Sequence, residues 1–318
     1  MPRFDTATVA EVLLERRGLQ RVALDNGRRA YVLTDLIGPV AVGDQVVVNT
    51  TAVDLGLGTG GWDVVHWNLA RESWDHPGTG HIMKVRYTSL QADVAVVDGE
   101  GTLGGTPVVA CFLHSQLAAV AAAFRHAAPG KRLAYVMTDT AALPLALSDL
   151  VAEGIFDVTV TAGQAFGGDL EAVNVASALV STEADAVVVA PGPGVVGTNS
   201  KWGFSSLEVA ATLDLVAQLG GLPIVALRYS DADGRPRHRG ISHHAFTVLE
   251  LLHAQVVVPV PAGGAYPSQL NGTGTEFDVP ALDIAATSMG RTPADDPGFF
   301  AYAAAAGIAA ARSVESGQ

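Results

Sequence analysis

The sequence predicts an α/β protein in two parts: a small, all-β, barrel-like domain over residues 1–100 and a parallel-sheet domain, Rossmann-like and three-layered, over residues 101–318. Three observations predict it. The texture of the chain changes near residue 100; six continuous apolar runs after that point alternate with alanine- and leucine-rich stretches; and 318 residues with 49% hydrophobic content can bury more than one small core. Apolar strands separated by helices imply a parallel sheet covered on both faces.

In the first part, short β-type runs at residues 21–23, 29–33, 45–49 and 94–97 are punctuated by Asp-Asn-Gly, Gly-Pro and Gly-Asp turns. Residues 49–69 place Gly56, Gly58, Gly60 and Gly61 between two apolar stretches, which predicts a hairpin or corner with Trp62 and Trp67 packed in the barrel. Residues 98–107 (DGEGTLGGTP) read as a glycine-rich linker or hairpin. Strands are then expected at 108–113, 133–137, 157–161, 186–190, 222–227 and 255–260. A final alanine-rich helix at 299–311 offers an apolar surface to its own domain or to a second copy of the chain.

Composition narrows the function classes. No apolar run reaches the length of a membrane span and the N-terminus lacks a signal pattern, so the expectation is a soluble, cytoplasmic protein. Cys111 stands without a second cysteine, which excludes an internal disulfide and reads as a small core residue. A formal net charge of -13, a pI near 5.0 and three lysines argue against a general nucleic-acid-binding surface.

The polar signals sit where the predicted strands end. His114 and Ser115 follow the first, Asp139 and Thr140 the second, and a loop with Gly163, Gly167, Gly168 and Asp169 the third. The fourth leads into APGPGVVGTNSKWGFSSLE, with Gly192, Gly194, Gly197 and Thr198, and the fifth into RYSDADGRPRHRGISHH at residues 228–244. In an open parallel sheet all these junctions fall on one edge, where ligands bind. The competing reading is structural: Ser115, Asp169, Ser205 and Ser242 are all helix-capping types, Ser205 with Glu208 has capping-box spacing, and Asp169 and Glu171 would open the next helix. Glycine loops can turn backbone N–H groups toward an anion or simply form a tight turn.

Residues 228–244 are the strongest site candidate. They gather Arg228, Arg235, Arg237 and Arg239 with His238, His243 and His244 in an acidic chain. Such a density of like charge is expected to face an anion or a carboxylate cluster, with a solvated basic loop as the alternative. His114, His238 and Asp139 are the candidates for proton transfer. The adjacent His243 and His244 are expected to point apart rather than chelate, and without an HExxH, HxH or CxxC pattern no metal is assigned. Outside this region, GHIMKVRYTSLQ at residues 80–91 alternates as a strand and would place Lys84 and Arg86 on one face, able to add to an anion site.

Five motifs in order, GHIMKVRYTSLQ, MTDTAALPLALS, TAGQAFGGDLEAVN, APGPGVVGTNSKWGFS and RPRHRGISHH, make the chain resemble an uncharacterised bacterial family of actinobacteria and Gram-positive spore formers, known only as a domain of unknown function. The resemblance spans residues 22–260, implies a shared fold and ligand site, and assigns no activity. The family pattern carries glycine where this chain has Thr140 and Ser206.

The expectation is therefore an enzyme acting on a small anionic substrate, phosphorylated or nucleotide-like, with cofactor unassigned. Its anion contacts would come from Arg228, Arg235, Arg237, Arg239, Ser242, His243 and the glycine loops, with Lys84 and Arg86 as additions. The alternatives are a non-catalytic metabolite sensor or scaffold, and a metal-dependent hydrolase using Asp139, Asp169, Asp231 and His238.

Overall fold

A computed structural model describes residues 1–78, 80–267 and 272–316. Two units divide the chain, Met1–Ala95 and Val96–Gln318. In the first, β1 (Phe4–Arg16), β2 (Leu19–Leu24), β3 (Arg29–Val32), β4 (Gln45–Asn49) and β5 (Asp63–Asn68) close a barrel in the order β1-β2-β3-β5-β4. Only the β3–β5 pair is parallel; register shifts within the β1–β2 and β4–β5 pairs help the sheet curl into closure. Inward positions of the alternating strands, among them Val9, Val22, Val32, Val46 and Val65, fill the interior. The one-turn helices α1 (Thr34–Ile37) and α2 (Thr51–Asp54) follow β3 and β4. Trp67 packs against the barrel core, whereas Trp62 stacks on Tyr31 with Arg29 over its ring. A two-stranded ladder of β6 (Ile82–Lys84) and β7 (Ala92–Val94) completes the unit.

The second unit is a three-layer α/β domain. Its eight strands are β8 (Pro107–Cys111), β9 (Leu133–Thr138), β10 (Val158–Ala162), β11 (Leu170–Ala172), β12 (Ala186–Pro191), β13 (Leu222–Ala226), β16 (Val256–Pro261) and β17 (Gly272–Phe277). They lie in the order β11-β10-β9-β12-β8-β13-β16-β17, and every pair is parallel. A small antiparallel pair, β14 (Tyr229–Ser230) with β15 (Gly240–Ile241), brackets the arginine-rich loop. The helices are α3 (Leu117–Ala127), the single turn α4 (Asp149–Ala152), α5 (Val175–Val180), α6 (Glu208–Gln218), α7 (His243–Leu251) and α8 (Pro297–Ser316).

The central strands read as unbroken apolar runs because both faces are covered: every residue of β8, β9 and β12 is buried. Side chains such as Val109, Tyr135 and Val188 face α3 and α8, while Val108, Val136 and Val187 face α5 and the Val216 side of α6. Cys111 is fully buried in β8, and desolvation pushes its thiol pKa up. Helix α8 is buried on nearly all sides from Phe299 to Ala311, so the apolar surface read from the sequence is spent within its own domain. It meets α3 closely at Gly307, where a Cβ would lie 2.2 Å from the Val120 carbonyl oxygen. No helix among the described residues is long and apolar enough to cross a membrane.

The connections create the site. From β8 the chain moves through α3 to β9 on one side, whereas from β12 it passes through α6 to β13 on the other. β8 and β12 are neighbours, so the chains leaving their carboxyl ends diverge. A crevice opens at such a switch point.

Candidate functional site

A cavity of about 380 Å³ lies at this edge and is lined from three directions. β8 leads to Leu113, His114 and Ser115; β12 leads to the 193–198 loop; and β13 leads to Arg228, Arg235, Arg237, His238 and His244. Thr287, Ser288 and Met289 close the fourth side.

The arginine-rich loop is folded by its own side chains. Ser230 Oγ donates to Asp296 and accepts the Asp233 N–H. Asp233 in turn accepts from the Arg235 backbone N–H and, through both carboxylate oxygens, from its guanidinium at 2.8–2.9 Å. Those contacts hold the Asp233 pKa well below the usual carboxylate range. Pro236 opens a single 3-10 turn, Pro236–His238, that carries His238 inward to 2% exposure. Ser242 then caps α7 by accepting the His244 N–H, and its hydroxyl also meets His238 Nδ1 at 2.7 Å.

Two arginines are differently placed. Arg228 is 7% exposed and donates to His244 Nδ1 at 3.0 Å; Arg237 donates to His238 Nε2 at 3.3 Å. Among the described residues neither has a carboxylate within 4.0 Å, whereas Arg235 is held by Asp233 and Arg291 by Asp296. Burial, reinforced by Arg235, lowers the Arg228 pKa to about 10, so it remains a cation at neutral pH. Burial and the Arg228 charge push His238 and His244 down to about 3, leaving both rings neutral. His244 lies flat on Phe204, with centroids 3.8 Å apart and planes 4° from parallel.

His114 forms part of the opposite wall. Its Nε2 lies 2.8 Å from Ser148 Oγ and its Nδ1 3.4 Å from the Tyr135 hydroxyl, which also reaches the Ala190 and Pro191 carbonyls at 3.3 Å. Desolvation lowers its pKa to about 4. The 192–198 loop divides in role. A Cβ on Gly192 would meet the Ala142 carbonyl oxygen at 2.4 Å, so that glycine serves close packing. Gly194, at φ +92, has open space before it and lines the cavity with Gly197 and Thr198.

Other expected residues lie elsewhere. Asp139 accepts from the Gln164 N–H, and Asp231 from the Gly298 N–H at the start of α8. Asp169 and Glu171 do not open a helix. They lie at the short return strand β11, because the Asp169 carboxylate takes the N–H and hydroxyl of Thr159 while Glu171 takes the Thr161 hydroxyl and the N–H of Gly167. Gly168 packs its α-carbon against the Leu170 carbonyl oxygen. Ser205 accepts the Val196 N–H across the loop rather than capping α6, which begins without a side-chain cap. Arg239 is exposed, and Ser242 and His243 stand behind the cavity wall. Thr140 donates to Glu208, and Ser206 is buried and lines the cavity.

Residues 80–91 do not form one strand. β6 ends at Lys84 because Val85 and Tyr87 take left-handed backbone conformations at φ 50 and 59, which breaks the alternation that would put Lys84 and Arg86 on one face. Lys84 is buried in the N-terminal unit, and the cavity is lined by residues of the α/β unit. Sequence reasoning missed the segment at 287–291. There Ser288 accepts from Ser115 at 3.0 Å and Arg291 anchors on Asp296; Met289 and Gly290, left-handed at φ 50 and 78, make the turn between Ser288 and Arg291, and Gly290 is the one residue type in it that signals a turn.

His243 and His244 were expected to diverge, yet their rings lie 4.3 Å apart, and both lie within 5 Å of the His238 ring. At a helix N-terminus there is no preceding turn to splay adjacent side chains, and the 3-10 turn folds back to meet them.

The chain thus presents a three-layer α/β domain with a cationic crevice at the switch point of its sheet. The chain belongs to the family DUF3866, described as a protein of unknown function, whose model matches residues 29–307. No curated protein matches the chain.

Proposed function

We propose that the α/β unit binds a small anionic metabolite, phosphorylated or nucleotide-like, in the crevice between β8, β12 and β13, and acts on it as an enzyme. The observation that supports this most directly is Arg228: a cation 7% exposed, without a carboxylate partner among the described residues, facing a cavity. An isolated charge taken out of water costs several kcal/mol, and folds retain one where a ligand supplies the counter-charge. Arg237 and the Gly194–Thr198 loop supply further donors around the same space. The low pKa values of His114 and His238 favour a second reading, a metabolite sensor without turnover, because a base far below neutrality accepts protons weakly.

The test is thermal unfolding with inorganic phosphate, nucleotides and sugar phosphates, repeated on Arg228→Leu. A ligand at 100 times its Kd adds about 2.7 kcal/mol, on the order of 5–10 °C for a domain this large. The variant should lose that shift while its ligand-free Tm stays level or rises, since an uncompensated buried charge is gone. A lower ligand-free Tm with the ligand shift intact would assign Arg228 to structure and sink the proposal. Product formation from any ligand that shifts Tm separates the enzyme from the sensor.

A further inference from the structure

His238, His243 and His244 form a group the anion reading leaves unused. Each offers one ring nitrogen, and the three nitrogens lie within 4.8 Å of one another. The Nε2 atoms of His243 and His244 are buried without a hydrogen-bond partner, in a protein that satisfies most of its buried polar atoms. His244 itself is 5% exposed. The opposite nitrogens of two rings are occupied: His243 Nδ1 faces the Arg237 carbonyl oxygen at 3.2 Å and His238 Nδ1 faces Ser242 Oγ at 2.7 Å. Contacts of that kind fix the tautomer that leaves the lone pair on Nε2, as they do for the histidines of metal sites; in His238 that lone pair accepts from Arg237 at 3.3 Å, so a metal there would displace the Arg237 donor.

We propose that His238, His243 and His244 bind a divalent transition-metal ion of the zinc, cobalt and nickel class, with an open coordination position toward the cavity. Three imidazoles with no thiolate and no carboxylate suit those ions and not magnesium or calcium. Burial and the Arg228 charge keep His238 and His244 unprotonated, which metal binding requires, but the arginines also repel a dication. That repulsion ties the metal to the anion, and in this the proposal rests on the anion site argued above: an anion in the cavity would neutralise both.

The geometry adds a specific coupling. Zn–N bonds of 2.0–2.1 Å put tetrahedral nitrogens roughly 3.4 Å apart, so the cluster must draw in by about 1.5 Å through side-chain rotation. Arg228 donates to His244 Nδ1, which places that ring's proton on Nε2. For His244 Nε2 to ligate, the proton must move to Nδ1 and Arg228 must turn away. The anion in the cavity is the partner to which it turns.

The experiment is titration of the full-length, chelator-treated protein with Co²⁺, read by visible absorption, with and without inorganic phosphate, on wild type, His243→Ala, His244→Gln and Arg228→Leu. Far-UV circular dichroism confirms that each variant is folded, and the partly exposed His243 is the substitution the fold tolerates most readily. One equivalent should give the intense bands of low-coordinate Co²⁺, with affinity raised at least tenfold by phosphate. The His243→Ala and His244→Gln changes should each weaken binding by about 100-fold or more, beyond the 10–100-fold cost of removing a mere supporting contact. Arg228→Leu should bind Co²⁺ more tightly without phosphate and lose the phosphate effect. Pale six-coordinate spectra, or binding that His243→Ala leaves unchanged, would overturn the metal site. If phosphate still raises the Tm of His243→Ala, the anion site stands even though the metal site has failed; a wild type that phosphate does not stabilise fails the anion reading itself.

Discussion

His114 shows how one residue's surroundings decide its chemistry. It leaves a buried strand at the mouth of the cavity, yet both ring nitrogens face partners, Ser148 and Tyr135, and desolvation holds its pKa near 4. The unfolded chain would titrate it near 6.5. Between those values the unfolded state binds a proton that the folded state refuses, so stability is full above pH 6.5 and falls as the pH drops toward 4. The loss from this residue should reach about 2 kcal/mol by pH 5, at 1.36 kcal/mol per pH unit. Thermal melts of wild type and His114→Asn across pH 5–8 isolate it: the wild type's advantage should shrink on acidification, and parallel curves would show that His114 is not held neutral. At the same scale, the sequence exposed the arginines and histidines of residues 228–244 because their density in an acidic chain is improbable without a counter-charge. It hid the division of labour among them. That Arg235 is neutralised by Asp233 while Arg228 is not depends on which side chains a two-residue ladder and a 3-10 turn aim inward, and identity alone carries no such information.

Elements were legible where burial leaves a compositional trace. The six apolar runs of the α/β unit are strands, since two-sided burial favours Val, Ile, Leu and Ala; β10 keeps Thr159 and Thr161 because Asp169 and Glu171 accept from their hydroxyls. The 13-residue β1 was not anticipated because one of its faces is largely exposed and its apolar residues are interleaved with Asp, Thr and Glu. Edge strands β11 and β17 escaped for a related reason: three residues in one case and a Gly-Thr-Gly-Thr sequence in the other lack the apolar content that a central position imposes. Helix α8 was legible as a helix, but its burial depends on α3, and Gly307 shows how tightly the two meet. Gly307→Ala would place its Cβ 2.2 Å from Val120 O and 3.0 Å from the Ala123 Cβ. Backbone cannot rotate away as a long side chain can, so the helices must separate. The helix-propensity gain of alanine, about 1 kcal/mol, should be outweighed, giving a net loss of about 1–2 kcal/mol. A calorimetric Tm equal to or above wild type would show that α8 can shift without cost.

At the scale of the whole molecule, each unit has its own apolar core. The barrel core draws on residues between Ala7 and Leu90, and the two sheet-face clusters on residues between Val97 and Val314. Cooperativity in unfolding comes from shared burial, so two cores of this kind should melt as two transitions. Their sizes set the heats: at about 0.7 kcal/mol per residue near 60 °C, the barrel unit should absorb about 65 kcal/mol and the α/β unit about 150 kcal/mol. The cavity is lined wholly by residues of the larger unit. A ligand stabilises only the state that binds it, so phosphate should move the larger transition upward and leave the smaller one in place. Arg228→Leu should abolish that movement without altering either heat. Differential scanning calorimetry reads all of this in one trace. A single transition carrying the summed heat would show that the units unfold as one body, and movement of both peaks together would show that anion binding is felt by the barrel as well.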